Sequence, residues 1–385
     1  MNTPAAHLSE VYPTLPFQPV TGKGVYLEDA DQRRVLDLYG GHAVAGLGYG
    51  HPRLTNALVT QARELLFQSN AVTMRVRDEA ADKLAAFAPE SLERVFFVNS
   101  GAEANENALR LAFQSTGRRK IVAIERSFHG RTAAAGAVSW GARERWYGFP
   151  ETPMEVAFVP RNDEAALAAA VDAETAGVII EPVQGVAGAF DFARPFMTAA
   201  RAACDASGAL LILDEVQTGV GRLGTPFGAD YFGVIPDLLT TAKSLGGGFP
   251  CGAVLMRNDL AKDLGPGALG TTFGGGPLAC AVIAAVLDTI EAEELLAHVT
   301  EVSGLIRETC VRGPVTGIQG AGFLLGLKTT PRAAAVRNAL LDRDILASTS
   351  GDPHILRLLP ALILQPTHVE CLAGALEELS DETFQ

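Results

Sequence analysis

The segment Leu210-Leu211-Ile212-Leu213-Asp214-Glu215 joins a short apolar run to two acidic residues. An apolar run of this length with polar residues at its end is typical of a strand buried on both faces of a parallel sheet. Ligands of open α/β sheets bind at the carboxyl ends of the strands. We therefore expect Asp214 to lie at the edge of a buried sheet, where a binding site forms.

The same pattern recurs along the chain from about residue 94. Short apolar runs flanked by glycine, aspartate or proline occupy residues 95–98, 121–124, 156–159, 177–180, 238–241 and 253–256. Helical stretches lie between several of these runs, among them 102–114 and the alanine-rich 165–173. The alternation predicts an α/β fold with a largely parallel sheet.

Polar clusters follow five of these strands, at the point where each strand ends. They are Asn99-Ser100-Gly101, residues 125–131, Glu181-Pro182, Asp214-Glu215 and Lys243-Ser244. Because the carboxyl ends of parallel strands meet at one edge of a sheet, we expect the five clusters to form one shared site.

Bulk composition excludes several classes of protein. The 385 residues carry a formal net charge of −13, which argues against nucleic-acid binding because phosphate contacts need a basic surface. No apolar run approaches the ~18 residues of a membrane span, and no signal peptide is visible in residues 1–20. The five scattered cysteines predict reduced thiols in a cytoplasmic protein.

Lys243 and Asp214 are the first candidates for chemistry. Alone, Lys243 would be a solvated loop residue and Asp214 a helix cap or turn residue. Together they suit a pyridine cofactor, because a lysine amine forms an imine and then carries a proton. A buried carboxylate beside the ring nitrogen would keep that nitrogen protonated, so that the ring withdraws electrons from the substrate carbanion.

The segment Asn99-Ser100-Gly101-Ala102-Glu103 opens a helix and has two interpretations. Ser100 and Glu103 form an ordinary capping box in the first. In the second, the same helix start binds a phosphate through exposed N–H groups and the helix dipole, and Gly101 permits close approach.

Residues 128–131 supply three further candidates. Phe128 and His129 are either packing residues or, in a cofactor site, neighbours of the pyridine ring, on which an aromatic side chain would stack. Arg131 is either a surface charge or a bidentate partner for a carboxylate.

The chain resembles the class III aminotransferases of fold type I and, within them, the acetylornithine aminotransferases. The resemblance covers nearly the whole chain and depends on many motifs in order rather than on any single one. The motifs are Gly46-Leu47-Gly48 with His51-Pro52, residues 99–106, residues 128–132, Glu181-Pro182-Val183-Gln184-Gly185, residues 213–219, Ala242-Lys243, residues 270–275 and Arg357-Leu358-Leu359-Pro360.

The resemblance implies pyridoxal 5'-phosphate as cofactor and a fold type I transferase with a mixed, mostly parallel sheet. Lys243 would be the Schiff-base lysine, and Asp214 would pair with the ring nitrogen. The remaining cofactor-binding residues would be Ser100, Gly101 and Ala102 at the phosphate, Phe128 and Val216 on the two ring faces, His129, Gln217 at the phenolic oxygen, and Thr272 at the phosphate of a partner subunit.

The resemblance also implies substrate-binding residues and domains. Arg131 would bind a substrate carboxylate, Arg357 the α-carboxylate of glutamate, and Thr271 would lie near the substrate. We divide the chain into an N-terminal segment, 1–55, that joins the small domain; a large cofactor-binding domain, 56–275; and a C-terminal small domain, 276–385. Residues 24–27 and 34–37 predict a hairpin, and residues 278–296 predict one long helix.

Two positions depart from the family pattern. Val186 stands where an acidic residue usually follows the Gln-Gly pair, and Leu269 stands where histidine is common. The cofactor positions are intact, so these departures concern the substrate rather than pyridoxal phosphate.

The implied activity is transfer of the δ-amine of N2-acetylornithine to 2-oxoglutarate, giving N-acetylglutamate semialdehyde and glutamate in arginine biosynthesis. The enzyme would be a cytoplasmic homodimer with shared active sites and no metal. An N-succinylornithine aminotransferase is the nearest alternative, followed by ornithine, 4-aminobutyrate and lysine-pathway aminotransferases. Another pyridoxal enzyme, such as an aminomutase or decarboxylase, fits the two candidate carboxylate-binding arginines less well. A non-catalytic binding protein on the same fold is disfavoured, because Lys243 and Asp214 are both present.

Overall fold

A computed structural model describes residues 7–379 and 384 of the chain. The strands are β1 (Pro19–Lys23), β2 (Tyr26–Asp29), β3 (Arg34–Asp37), β4 (Arg94–Val98), β5 (Lys120–Ile124), β6 (Glu155–Val159), β7 (Thr175–Ile180), β8 (Val183–Gln184), β9 (Phe190–Asp191), β10 (Leu210–Asp214), β11 (Leu238–Thr241), β12 (Gly252–Met256), β13 (Val315–Ala321), β14 (Leu324–Thr329), β15 (Ile345–Leu346), β16 (Ser348–Thr349) and β17 (Ile355–Leu358).

The helices are α1 (Gly40–Ala43), α2 (Pro52–Glu64), α3 (Arg75–Phe87), α4 (Gly101–Thr116), α5 (Ala133–Ala137), α6 (Ala142–Arg145), α7 (Glu164–Ala170), α8 (Arg194–Ser207), α9 (Gly228–Phe232), α10 (Asn258–Ala261), α11 (Pro277–Ala292), α12 (Leu295–Thr309), α13 (Ala333–Leu341) and α14 (Pro366–Glu378), together with a 3-10 turn at Lys243–Gly246. No helix among the residues described here has the length and apolar character needed to cross a membrane.

A seven-stranded sheet with the order β4-β12-β11-β10-β7-β5-β6 forms the centre of the molecule. All the predicted apolar runs are strands of this sheet, and every strand except β12 runs in the same direction. Alternate residues of a strand in this sheet belong to different apolar clusters. In β10, Leu211 and Leu213 belong to one cluster, and Ile212 belongs to the other, which also contains the buried face of α4. The sheet is therefore buried on both faces, as the apolar runs predict.

Two smaller four-stranded sheets lie outside the central one. One has the order β1-β2-β3-β15 and contains the predicted hairpin as β2 and β3; the other has the order β13-β14-β17-β16. Since β15 pairs with β3, the N-terminal segment shares a sheet with a strand from near the end of the chain. The proposed domain division stays a prediction, and its residues 1–6, 380–383 and 385 lie outside the described part.

The single helix predicted for residues 278–296 is wrong. The chain forms α11 and α12 instead, and Glu294 between them adopts a left-handed φ of 51°. Ile290 and Leu295 are both buried in the same core cluster. The apolar periodicity therefore continues through the break, and periodicity alone does not reveal it. The predicted helix 165–173 is also shorter, because α7 ends at Ala170.

Candidate active site

A cavity of about 520 Å³ lies at the carboxyl ends of the central strands. Ten of the predicted site residues line it: Ser100, Gly101, Ala102, Phe128, His129, Arg131, Asp214, Val216, Gln217 and Lys243. The strand ends thus bring together residues that are more than 140 positions apart in the sequence, the difference between 243 and 100. Thr271, Thr272 and Arg357 are not among its lining residues in the described chain.

Asp214 is buried at the end of β10 and is held by a network of polar side chains. Its Oδ2 lies 2.7 Å from His129 Nδ1 and accepts a hydrogen bond of 2.7 Å from Asn105 Nδ2. Because a carboxylate only accepts, the Nδ1 proton of His129 is the donor, and His129 Nε2 is left buried without a described partner. Thr240 fixes Asn105 in turn, through a bond of 2.6 Å to its Oδ1. The network orients Asp214 and leaves it ready to accept from a bound group.

Lys243 follows β11 and lines the cavity. Its φ of 49° is left-handed, a conformation that costs energy for a residue other than glycine. Burial lowers the pKa of the Lys243 amine to about 8, Asp214 and Glu181 oppose this shift, and Arg357 and Arg222 add to it. A lysine whose pKa is lowered in this way has a larger neutral, nucleophilic fraction near physiological pH than an exposed lysine has.

The start of α4 presents free hydrogen-bond donors to the cavity. Ser100 caps the helix by accepting from Glu103 N at 3.2 Å, and the Glu103 carboxylate accepts from Asn99 N at 2.8 Å. The capping interpretation is therefore correct in part, although Glu103 reaches Asn99 rather than Ser100. The N–H groups of Gly101 and Ala102 make no hydrogen bond within the described residues and remain available to an anion.

Gly101 also fits closely against Val216. A Cβ on Gly101 would lie 2.6 Å from Val216 Cγ1, so the glycine is required where the helix start approaches the second residue after β10. Val216 N in turn donates to Asp214 Oδ1 at 3.1 Å. The helix start and the end of β10 are thus fixed relative to each other.

Gln217 has an unused acceptor in the cavity wall. Its Nε2 donates to His42 O at 3.3 Å, whereas its buried Oε1 has no partner among the described residues. An unsatisfied buried oxygen costs free energy unless a bound group donates to it. On the other side of the cavity, Phe128 N donates to the Glu181 carboxylate at 2.9 Å.

The two candidate carboxylate-binding arginines have different surroundings. Arg131 is exposed and its guanidinium lies 4.6 Å from the centre of the Trp146 ring. Arg357 is buried on β17 and donates to two main-chain oxygens, Thr349 O at 2.9 Å and Gly185 O at 3.1 Å. Burial lowers the pKa of Arg357 to about 10, and neither arginine forms a salt bridge within the described residues.

Thr271 and Thr272 lie on the loop before α11 and are not among the residues that line the cavity. Asn70 anchors this loop by donating to Thr271 O at 3.3 Å and to Gly274 O at 3.1 Å. Thr271 Oγ1 accepts from Asn99 Nδ2 at 3.2 Å, whereas Thr272 is exposed. Thr272 is therefore accessible to solvent in the described chain and makes no contact with the cavity.

Sequence analysis assigned no role to two buried residues of the site, Asn105 and Glu181. Asn105 is a polar residue on the buried face of α4, among Ala104, Ala108 and Leu109. A polar residue on an otherwise apolar helix face is the sequence signal that could have identified Asn105. Glu181 ends β7 and lines the cavity, and burial raises the pKa of its carboxyl above the ordinary range. No group of three or more potential metal ligands occurs in the described chain.

Comparison with known proteins gives consistent results. The sequence matches the class-III aminotransferase family over residues 8–379. It is 44% identical to an acetylornithine aminotransferase of Streptomyces coelicolor, covering 97% of this chain and 92% of that protein. A Yersinia pestis relative named acetylornithine/succinyldiaminopimelate aminotransferase is 39% identical, covering 96% of this chain and 94% of the relative. Among solved structures, an ornithine aminotransferase from Toxoplasma gondii that contains PLP superposes with a TM-score of 0.92 at 27% identity, covering 99% of this chain and 94% of that one.

Proposed function

This chain belongs to the class-III aminotransferases, and we propose that it transfers the δ-amine of N2-acetylornithine to 2-oxoglutarate. The products are N-acetylglutamate semialdehyde and glutamate, a step of arginine biosynthesis. The observation that carries the proposal is that a lysine amine with a lowered pKa and a buried, oriented carboxylate, those of Lys243 and Asp214, line one cavity. The names of the relatives supply the substrate.

The residues present fit pyridoxal 5'-phosphate. The free N–H groups of Gly101 and Ala102 would bind its phosphate, with Ser100 at the helix cap. Gln217 Oε1, which lacks a partner in the described chain, would accept from the phenolic O–H group, and Asp214 would bind the ring nitrogen. Phe128 and Val216 would cover the two ring faces, with His129 behind Asp214. When bound, the cofactor supplies an aldehyde that exchanges amines and a ring that accepts electrons.

The chain's own contribution to the chemistry comes from Lys243 and Asp214. Lys243 would supply its amine for covalent attachment of the cofactor, and after its release that amine would take the proton from the substrate carbon that bears the transferred amine. Asp214 holds a proton on the ring nitrogen, and the hydrogen bonds from His129 and Asn105 keep its carboxylate aligned. Burial of both groups strengthens these interactions.

Two arginines are available for substrate carboxylates. We assign Arg131, at the cavity wall, to the carboxylate of the acylornithine, and Arg357 to the α-carboxylate of glutamate, with Thr271 close to the substrate. The absence of a salt bridge to either arginine within the described chain supports this assignment. A guanidinium without an ion-pair partner is ready for bidentate carboxylate binding.

A homodimer with shared sites completes the proposal. Thr272 would reach the phosphate in the partner's site. Exposed apolar side chains near its loop support an interface there: Leu66 is 61% exposed and Phe273 64% exposed, and Phe67 and Phe273 lie 5.2 Å apart between ring centres. We also propose a cytoplasmic enzyme, since all five cysteines are free.

The main alternative to N2-acetylornithine is a substrate with a different acyl group. The Yersinia pestis relative is named for both acetylornithine and succinyldiaminopimelate. These two compounds share an acylated amino group, and they differ in the charge and size of the acyl group. N-succinylornithine therefore stays the nearest rival substrate for this chain.

Steady-state rates with a panel of amine donors test the function. Purified enzyme with 2-oxoglutarate should use N2-acetylornithine with a higher kcat/KM than N-succinylornithine, ornithine or 4-aminobutyrate. A preference for either of the last two would overturn the acylornithine assignment. Borohydride reduction should attach the cofactor to Lys243, and the exposed Lys262 is the control lysine for peptide mapping.

A further inference from the structure

Arg222 is a fully buried arginine that forms no salt bridge within residues 7–379. Its guanidinium donates instead to uncharged oxygens: Pro360 O, Ala43 O at 3.4 Å and Ser244 Oγ at 3.2 Å. Its Nε is buried with no partner in the same range. Burying a charge without a counter-charge is costly, so the position calls for an explanation beyond packing.

The three acceptors come from three different parts of the chain. Pro360 follows β17, Ala43 ends α1, and Ser244 is the residue after Lys243. The main chain of Arg222 is fixed too, because Arg222 O accepts from Phe323 N at 2.8 Å. Arg222 thus joins the N-terminal segment and the C-terminal region to the turn that carries the lysine.

Ser244 is the link between Arg222 and Lys243. Its Oγ donates to Ala43 O at 2.7 Å and accepts from Arg222, so its rotamer is fixed. A Cβ on Gly46 would lie 3.1 Å from the Ser244 side chain, which leaves little room on that side. Because Lys243 itself is left-handed, these contacts at the next residue are what hold the strained turn in place.

We propose that Arg222 is a positioning residue for Lys243: it fastens the lysine's turn to the N-terminal segment and maintains an unneutralised positive charge close to the lysine amine. The inference rests on the proposed function, in which Lys243 must be both aligned and uncharged. Arg222 touches neither substrate nor cofactor in this account and acts through Ser244 and through its charge.

The charges around Lys243 support the proposed effect of the Arg222 cation on the lysine amine. Burial is the largest cause of the lowered pKa of Lys243, and the positive charges of Arg357 and Arg222 lower it further. The charged and titratable groups around the amine are Asp214 and Glu181, which favour its ammonium form, and Arg357, Arg222, His42 and His129. Since Arg222 has no carboxylate partner in the described chain, its charge acts on the amine without local compensation.

The test measures the pH at which the visible absorbance of the bound cofactor changes. This midpoint is compared between the holoenzymes of wild type, Arg222→Met and Arg222→Lys. Removing the cation in Arg222→Met should move this midpoint upward by about one pH unit, whereas Arg222→Lys, whose amine loses part of its charge on burial, should give a midpoint between those of wild type and Arg222→Met. Arg118→Met is the matched control, because Arg118 also binds two main-chain oxygens, Thr175 O and Ser207 O, away from the cavity. An unchanged midpoint in folded Arg222→Met that retains cofactor would overturn the charge role.

Two further measurements keep the inference testable if Arg222→Met does not fold. In wild-type apoenzyme, the rate of cofactor uptake should rise with pH around 8; a midpoint at the ordinary lysine value of about 10.4 overturns the charge role. Ser244→Ala removes the link but keeps the cation, so it should slow uptake at every pH without moving the midpoint. Wild-type uptake in Ser244→Ala overturns the positioning role. Wild-type protein that never becomes yellow with pyridoxal phosphate would instead refute the proposed function.

Discussion

His129 Nδ1 and Asp214 Oδ2 lie 2.7 Å apart, and both side chains are almost completely removed from solvent. The pair joins a polar residue from the loop after β5 to the end of β10. Since Asn105 donates to the same oxygen, Oδ1 is the Asp214 oxygen with fewer hydrogen bonds. Among the described residues its one donor is Val216 N.

Asp214→Asn keeps the size of this side chain and removes its charge. We predict a loss of about 10²-fold or more in kcat, equivalent to roughly 3 kcal/mol, because the ring nitrogen then loses the group that keeps it protonated. Asp237→Asn is the matched control, since Asp237 is also buried but binds Leu211 N and Arg201. Stopped-flow and steady-state rates on the folded variants test this prediction. An Asp214→Asn enzyme as fast as wild type would exclude Asp214 as the group that keeps the ring nitrogen protonated.

Gly185→Ala tests the proposed role of Gln217. An ideal Cβ on Gly185 would lie 1.5 Å from Gln217 Oε1, so the amide must move away. We predict roughly fivefold faster cofactor loss, since about 1 kcal/mol of hydrogen bonding is removed. Gly304→Ala in α12 is the control, because nothing lies within 4 Å of its Cβ and helix propensity improves. Normal cofactor retention in folded Gly185→Ala would argue that Gln217 is not used.

Dilution of the enzyme and substitution of Thr272 test whether two subunits share their active sites. If Thr272 completes the partner's phosphate site, dilution should release cofactor and dissociate the dimer together, and Thr272→Ala should bind cofactor more weakly than wild type. Thr198→Ala, at another exposed threonine, should not. Mass photometry and cofactor absorbance, followed over the same dilution series, give the answer. The idea fails if monomers retain full cofactor and activity.

Val186 tests substrate selection. In this chain Arg357 binds the carbonyl oxygen of Gly185, the neighbour of Val186, and Val186 is 38% exposed in the cavity wall. A glutamate at position 186 would give Arg357 a charged partner that competes with the α-carboxylate of glutamate. We predict that Val186→Glu lowers kcat/KM for glutamate 10- to 100-fold more than for the acylornithine, from a bond of about 1.5–3 kcal/mol.

Val186→Gln, which has the same length without the charge, is the control for that prediction. Its effect should be small and equal for both substrates. Single-turnover absorbance measures the two half-reactions separately. Equal effects of Val186→Glu on both would leave Val186 as a packing residue.

The central sheet was predictable because its signal is local. Each strand is a short apolar run followed within two residues by a polar or charged residue or a proline, and the polar clusters at five of those ends do line one cavity. The break at Glu294 was not predictable, because α11 and α12 bury apolar residues in the same core and the periodicity continues. The antiparallel direction of β12 could not be predicted from its composition, because the residues of β12 are as apolar as those of the neighbouring strands.

The supporting residues of the site depend on contacts that sequence spacing does not contain. Arg222 bonds to oxygens 138 and 179 positions away, so its burial follows only from the assembled fold. Asn105 could have been found by its place on an apolar helix face. The roles assigned to Lys243, Arg131 and the other site residues stay predictions until the variants are measured.

The pairing of β3 with β15 has a consequence for how the protein is made. Leu38 bonds to Leu346 and Leu359, and Gly46 O accepts from Leu362 N at 2.7 Å, so the N-terminal segment finds these partners near the end of the chain. On the ribosome the central sheet can form as it is translated, whereas residues 34–46 must wait. A chain released before Ile345 would contain Lys243 and Asp214 and still lack Arg357 and the strand that pairs with β3. Activity therefore arises only at the completion of synthesis, and no truncated nascent product should show it.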